Sequence, residues 1–194
     1  MEKPLSEMTN EELLALFPVV LKPHNPQYKE QYENEKQRIM AKIDANDIIR
    51  INHIGSSAVK GLISKPIVDM LLEVDGCCKI AELMDDLASM GWNGMKVKHA
   101  PVTKFSCSKG YTQDGYADQV CVLHVRYYGN WSELYFRDYL IEYPDVANAY
   151  GAVKHQLMNE FENNKDGYTI AKTDFITKYS EIAKREYNNK YKPK

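Results

Sequence analysis

Residues 53–74 read H-I-G-S-S-A-V-K-G-L-I-S-K-P-I-V-D-M-L-L-E-V, and this stretch holds the side chains best suited to chemistry. Gly55-Ser56-Ser57 follows a β-rich run, and a bridge over 58–65 leads into a strand that carries Asp69 and Glu73. A glycine lets backbone amides approach a phosphate, and two serines add hydroxyl donors. A strand carboxylate can hold Mg²⁺ against the same phosphates. The pattern reads as an anion-and-metal site, with Asp69 as metal ligand and catalytic residue. Glu73 shares the strand face of Asp69, about 13 Å away at strand rise. Both can line one groove as metal-ligating groups, but they chelate a single ion only across a bend.

Each of these residues also has a plainer role. Ser56 and Ser57 suit a turn or a helix N-cap as well as a phosphate. Lys65 precedes Pro66 and is therefore extended, with its amine either turned toward the cradle or solvated. His53, just before the turn, more commonly serves in a core or in strand pairing than as a ligand contact. His124 and Arg126 share one face of a strand, which suits a cross-strand pair with an acid or contacts to a phosphate. Asp69 sits in an apolar run, where a carboxylate is costly to bury unless paired or coordinated. It is either an ion ligand, the reading preferred here, or the partner of Lys65, Arg126, Arg137 or Lys172.

The elements that must position these groups can be read from the hydrophobic pattern. Thr9 with Glu12 three residues on is a capping box opening a short helix that stops before Pro18. Tyr28, Tyr32, Ile39 and Ile43 form the inner stripe of a helix over 26–45. Strands are predicted at 48–54, 66–74, 92–98, 102–109 and 119–127, with the last two closed as a hairpin through 110–118. A helix over 81–90 ends at Gly91. Helices are expected over 131–142 and 144–161, then a turn at 163–167, a last helix over 168–187, and a frayed lysine-rich tail from 190. The order is helices, mixed strands, then helices, which predicts an α+β fold. One domain is expected across 1–194, with an α/β core at about 26–128 and a helical C-terminal part at about 130–187.

Composition bounds the function. The 194 residues are 44% hydrophobic and 27% charged, typical of a globular chain with a real core. A net charge of -2 gives no bulk attraction to DNA or to an anionic membrane. No apolar run nears the roughly 20 residues of a membrane helix. The acidic, polar start does not read as a signal peptide, so a cytoplasmic location is expected. The four cysteines show neither zinc nor disulfide spacing and read as reduced thiols.

The run from His53 to Leu62, followed by Lys65-Pro66-Ile67-Val68-Asp69, resembles the signature of the GrpB family, which belongs to the nucleotidyltransferase-fold superfamily. Leu16-Phe17-Pro18, Asn25-Pro26, His124-Val125, Phe136-Arg137-Asp138-Tyr139-Leu140, Tyr168 with Lys172, and Phe175-Ile176 agree with it. The resemblance implies a small mixed sheet flanked by helices, with the Gly-Ser turn holding nucleotide phosphates. It also implies ligand contacts at Arg137, Tyr168 and Lys172, which match motif positions. Active members of the superfamily place two carboxylates two residues apart and a third on a later strand, to hold Mg²⁺ for nucleotidyl transfer. Asp69 matches the first; the second falls at Leu71, and the later strand offers Val122, His124 and Arg126.

Three functions fit this sequence. One is Mg²⁺-dependent nucleotidyl transfer from a nucleoside triphosphate to an unread acceptor, with Asp69 helped by Glu73 or His124. Another is a nucleotide- or phosphate-binding module that has lost the second and third carboxylates and with them catalysis. The third is a structural or partner-binding domain.

Overall fold

The computed structural model describes residues 3–98, 104–161 and 165–193, with side chains of 94–98, 165 and 166 not described. Helix α1 (Asn10–Leu16) begins with the expected capping box: the Glu12 amide donates to Thr9 Oγ1 at 3.2 Å, and the Thr9 amide donates to Glu12 Oε2 at 2.6 Å. Helix α2 (Gln27–Lys42) buries Tyr28, Tyr32 and Ile39, the inner stripe read from the sequence. Strands β1 (Ile48–Ile54) and β2 (Val68–Val74) pair antiparallel. Helix α3 (Ile80–Ser89) and strands β3 (Asn93–Lys98), β4 (Lys104–Thr112) and β5 (Gly115–Tyr127) follow. The hairpin is tighter than the sequence suggested, because β4 and β5 extend to pair Thr112 with Gly115. The predicted 102–103 segment lies outside the described residues.

The sheet order is β1-β2-β5-β4-β3, with β2 and β5 parallel at its centre. This makes a mixed sheet in an α+β fold. One face of β2 is wholly apolar, with Val68, Met70, Leu72 and Val74 fully buried, and the other carries Asp69, buried Leu71 and Glu73. Met70 and Leu72 pack with Ile39 of α2, Leu87 of α3 and Leu123 of β5 in the main core. On the other face Leu71 meets Ile54 and Leu134. Leu134 belongs to α4 (Ser132–Glu142), which is followed by α5 (Pro144–Glu160), α6 (Lys165–Ala171) and α7 (Thr173–Glu186).

Two features of the C-terminal part differ from the sequence reading. The single helix expected over 168–187 is two helices, interrupted at Lys172, and helix α6 already begins at Lys165. Residues 163 and 164 of the expected turn lie outside the described residues. The tail is docked rather than frayed as far as Tyr191. Its ring stacks edge-on against Tyr135 with centroids 5.0 Å apart, and its hydroxyl donates to Asp138 Oδ2 at 2.6 Å. An aromatic side chain with a buried acceptor outweighs the tail's lysine content.

Candidate functional site

Gly55 ends β1 with φ +70°, a conformation that suits glycine. A Cβ built there would lie 2.6 Å from Asp69 Oδ2. The turn and the strand acid are therefore pressed together, and the missing side chain is what permits it. Ser56–Ala58 then forms one 3-10 turn. Residues 59–64 run on beneath helix α5, where Gly151 packs over Leu62 and Ile63.

Helix α5 also delivers a lysine. Lys154 of α5 is only 2% exposed, and its amine donates to Ser56 Oγ at 2.9 Å and to the Ile63 carbonyl. Burial, with the charge of Lys172 second, lowers its pKa to about 7. Lys172, at the break between α6 and α7, is lowered to about 8 by burial and then by Lys65, with Asp69 acting in the opposite sense. Lys172 also lies 4.1 Å from the ring centroid of Tyr168. The Tyr168 hydroxyl is buried without a hydrogen-bond partner among the described residues. Neither Lys154 nor Lys172 forms an ion pair among the described residues. Low-dielectric surroundings and like charge make these amines costly to protonate, and an anion beside them would remove that cost.

Asp69 is about a third exposed, and His124 Nε2 lies 3.7 Å from its Oδ1. Their shared face follows from the register, in which Leu71 pairs with His124 across the parallel β2–β5 ladder. The structure thus gathers Gly55, Ser56, Asp69, His124, Lys65, Lys172 and Tyr168 around the turn. Ser57 and His53 belong to the same turn but face the other way. Ser57 Oγ bonds to His53 Nε2 at 3.1 Å, and the His53 ring stacks on Tyr32 at 4.9 Å. Burial lowers the His53 pKa to about 4, against the opposing charge of Asp69, so the ring is neutral at pH 7.

Three sequence expectations correspond to structural roles elsewhere. Glu73 is fully buried in a two-pronged ion pair with Arg50 and accepts the Gly129 amide at 3.2 Å. Its charge is compensated, which leaves no coordination role. Arg126 donates to the Phe105 and Val125 carbonyls and lies over the Trp131 ring. Arg137 has its guanidinium taken up by Asp138, Asn52 Oδ1, the His53 carbonyl and the Tyr191 hydroxyl. These arginines hold helix α4 and the tail to the sheet.

Lys154 and its neighbour Tyr150, whose hydroxyl is also engaged with Ser56, were not singled out in the sequence. The signal was available: positions 147, 150, 151 and 154 form one helical stripe, and a lysine closing an apolar stripe is out of place.

A two-ion centre does not fit these residues. The second carboxylate position is Leu71, packed in an apolar cluster, and the later strand supplies His124. No group of three or more metal-ligating side chains is assembled among the described residues. A single Mg²⁺ could take one protein carboxylate, Asp69, with phosphate oxygens and water completing its octahedron.

A mixed sheet with a Gly-Ser turn set against a strand acid is the α+β arrangement that the resemblance to the nucleotidyltransferase-fold superfamily implies. The comparisons with known proteins narrow this further. A family model described as GrpB protein matches residues 18–181, and the chain belongs to the GrpB family. UPF0157 protein YqkA of Bacillus subtilis is 28% identical over 170 residues, covering 84% of this chain and 46% of its own length. The chain thus spans about half of that relative. Glutamate-rich protein GrpB of Alkalihalophilus pseudofirmus is 26% identical over 162 residues, covering 81% of this chain and 91% of that protein. The crystal structure of conserved protein GrpB from Enterococcus faecalis matches with a TM-score of 0.74 at 27% identity, covering 87% of this chain and 99% of that one. Among the described residues no helix is long and apolar enough to cross a membrane.

Proposed function

We propose that the protein binds a phosphate-bearing small molecule, a nucleoside triphosphate or similar compound, at the 55–57 turn, and that it has lost two-metal nucleotidyl transfer. The observation that carries this reading is the buried amine of Lys154, hydrogen-bonded to the turn serine beside a second depressed lysine. Two such amines are poorly arranged for an empty site and well arranged for a polyanion. Ser56 and the turn amides would bind phosphate oxygens, and Lys154 and Lys172 would balance their charge. Asp69 would hold one Mg²⁺, which would supply charge neutralisation to the phosphates.

Isothermal titration and thermal unfolding with inorganic triphosphate and ATP, each with and without Mg²⁺, test this. A native-state ligand at 100 times its Kd raises stability by about 2.7 kcal/mol. Saturable binding with a higher Tm is expected. No binding under either condition would refute the reading. Mg²⁺-dependent release of pyrophosphate from ATP would instead restore the transferase reading.

A further inference from the structure

The two serines of the turn look in opposite directions. Ser56 bonds to Lys154, while Ser57 bonds to His53 on the side of helix α2. On that second side lies a cavity of about 560 Å³, bounded by α2, the edge strand β1, the turn and the end of α4. Small-molecule pockets run at about 300–1,000 Å³. Lys154, Lys172 and Asp69 do not border this cavity, so it is separate from the phosphate cradle.

Its charges can be balanced residue by residue. Arg137 and Asp138 neutralise each other, and Lys190 also reaches Asp138 at 2.7 Å. Glu33 lies 3.8 Å from Lys36. Burial and the charge of Lys60 lower the pKa of His24, which keeps it neutral at pH 7. What remains is Lys190, left over from Asp138, together with Lys29 and Lys60, both exposed at the rim. This surplus suits an anion, with Lys60 the cation that borders the cavity beside Ala58.

The walls suit an apolar body. Pro26, Ala58 and Ile141 line the cavity, and Ile141 is 55% exposed at its mouth. The stacked Tyr32 and His53 rings, 14° from parallel, add a flat surface. The Tyr32 hydroxyl is already committed to the Ile51 carbonyl at 2.9 Å.

We propose that this cavity is a second ligand site, for a small organic monoanion with a flat apolar body, its charge held at Lys60 and its body lying against Ile141 and Ala58. This goes beyond the phosphate-binding reading and does not depend on it.

The test uses three matched probes on the full chain at pH 7: naphthalene-2-carboxylate, 2-naphthylmethanol and 2-naphthylmethylamine, titrated calorimetrically and followed by NMR. The carboxylate is expected to bind, the alcohol at least about fivefold more weakly, and the amine not at all. Lys60→Glu, at an exposed position, should weaken the carboxylate about tenfold or more. Ile141→Glu should weaken both the carboxylate and the alcohol, and Lys154→Met should leave all three unchanged. Equal binding of the three probes, indifference to Lys60→Glu, or no binding at millimolar concentration would overturn the proposal. Loss of the carboxylate on Lys154→Met would also overturn it, by placing the anion in the phosphate cradle. Triphosphate titrated against Lys60→Glu separates the two sites: its binding should be retained, and failure of triphosphate alone would count only against the cradle.

Discussion

Replacing Lys154 by methionine keeps the volume of the side chain and removes its amine, and the outcome can be worked from the structure. Lowering this amine from 10.5 to about 7 costs the folded, ligand-free protein about 5 kcal/mol at neutral pH, at roughly 1.4 kcal/mol per pH unit. The substitution removes that cost but strips the Ile63 carbonyl of its donor, a loss of about 1–3 kcal/mol for a buried acceptor. Ser56 keeps Tyr150 as a partner. Lys154→Met should therefore raise ligand-free stability by about 2–4 kcal/mol at pH 7. Denaturant unfolding measures this directly. The same change removes a charge-assisted bond to a bound phosphate, of about 1.5–3 kcal/mol, so triphosphate affinity should fall by about 10- to 100-fold. A variant that is destabilised and binds triphosphate as tightly as the parent would refute the reasoning, because Lys154 would then be a structural strut.

Other consequences are open to simpler assays. Lys154 and Lys172 have folded pKa values below the unfolded one, so the folded state sheds protons and ligand-free stability should rise from pH 7 toward 10. Buried tyrosines such as Tyr32 and Tyr168, raised to about 12, should reverse that trend above pH 10, while neutral His53 should make stability fall as pH drops from 6.5 toward 4. Thermal melts across this range show both limbs, and bound triphosphate should weaken as pH rises from 7 to 9. Gly55→Ala should cost about 2–4 kcal/mol through the positive φ and the clash with Asp69, and should abolish triphosphate binding. The double variant Gly55→Ala with Asp69→Ala should recover part of that stability in denaturant titrations. Glu73→Ala strands Arg50 and should cost about 3–5 kcal/mol while the remaining folded protein binds triphosphate normally.

Most of the frame was legible in the chain because period and caps act locally. The Thr9 capping box, the α2 stripe and the apolar β2 appear in the structure much as the pattern implies. The break at Lys172 was not legible, since no glycine or proline marks it. Nor was the docking of Tyr191, which depends on Arg137 and Asp138 more than 50 residues away. For the site, local reading found the turn and its acid, because Gly55, Ser56 and Asp69 are joined by adjacent elements. It could not tell which arginines are free: Arg137 is taken up by Asn52, the His53 carbonyl and Tyr191, and Arg126 donates to the Phe105 carbonyl, partners that only the tertiary fold supplies. The stripe of 147, 150, 151 and 154 marks Lys154 as an inward-facing lysine, but its partner Ser56, 98 residues away, is supplied only by the tertiary fold.

The central claim is that a lysine-backed turn holds phosphate. A crystal of the protein soaked with ATP and Mn²⁺ tests this most directly, since it locates the phosphates and the metal together. Phosphate density within hydrogen-bond reach of Ser56, Lys154 and Lys172, with a single ion at Asp69, is the predicted result. Phosphates bound elsewhere, or Lys154 bonded only to Ser56 and the Ile63 carbonyl in a saturated crystal, would contradict the account.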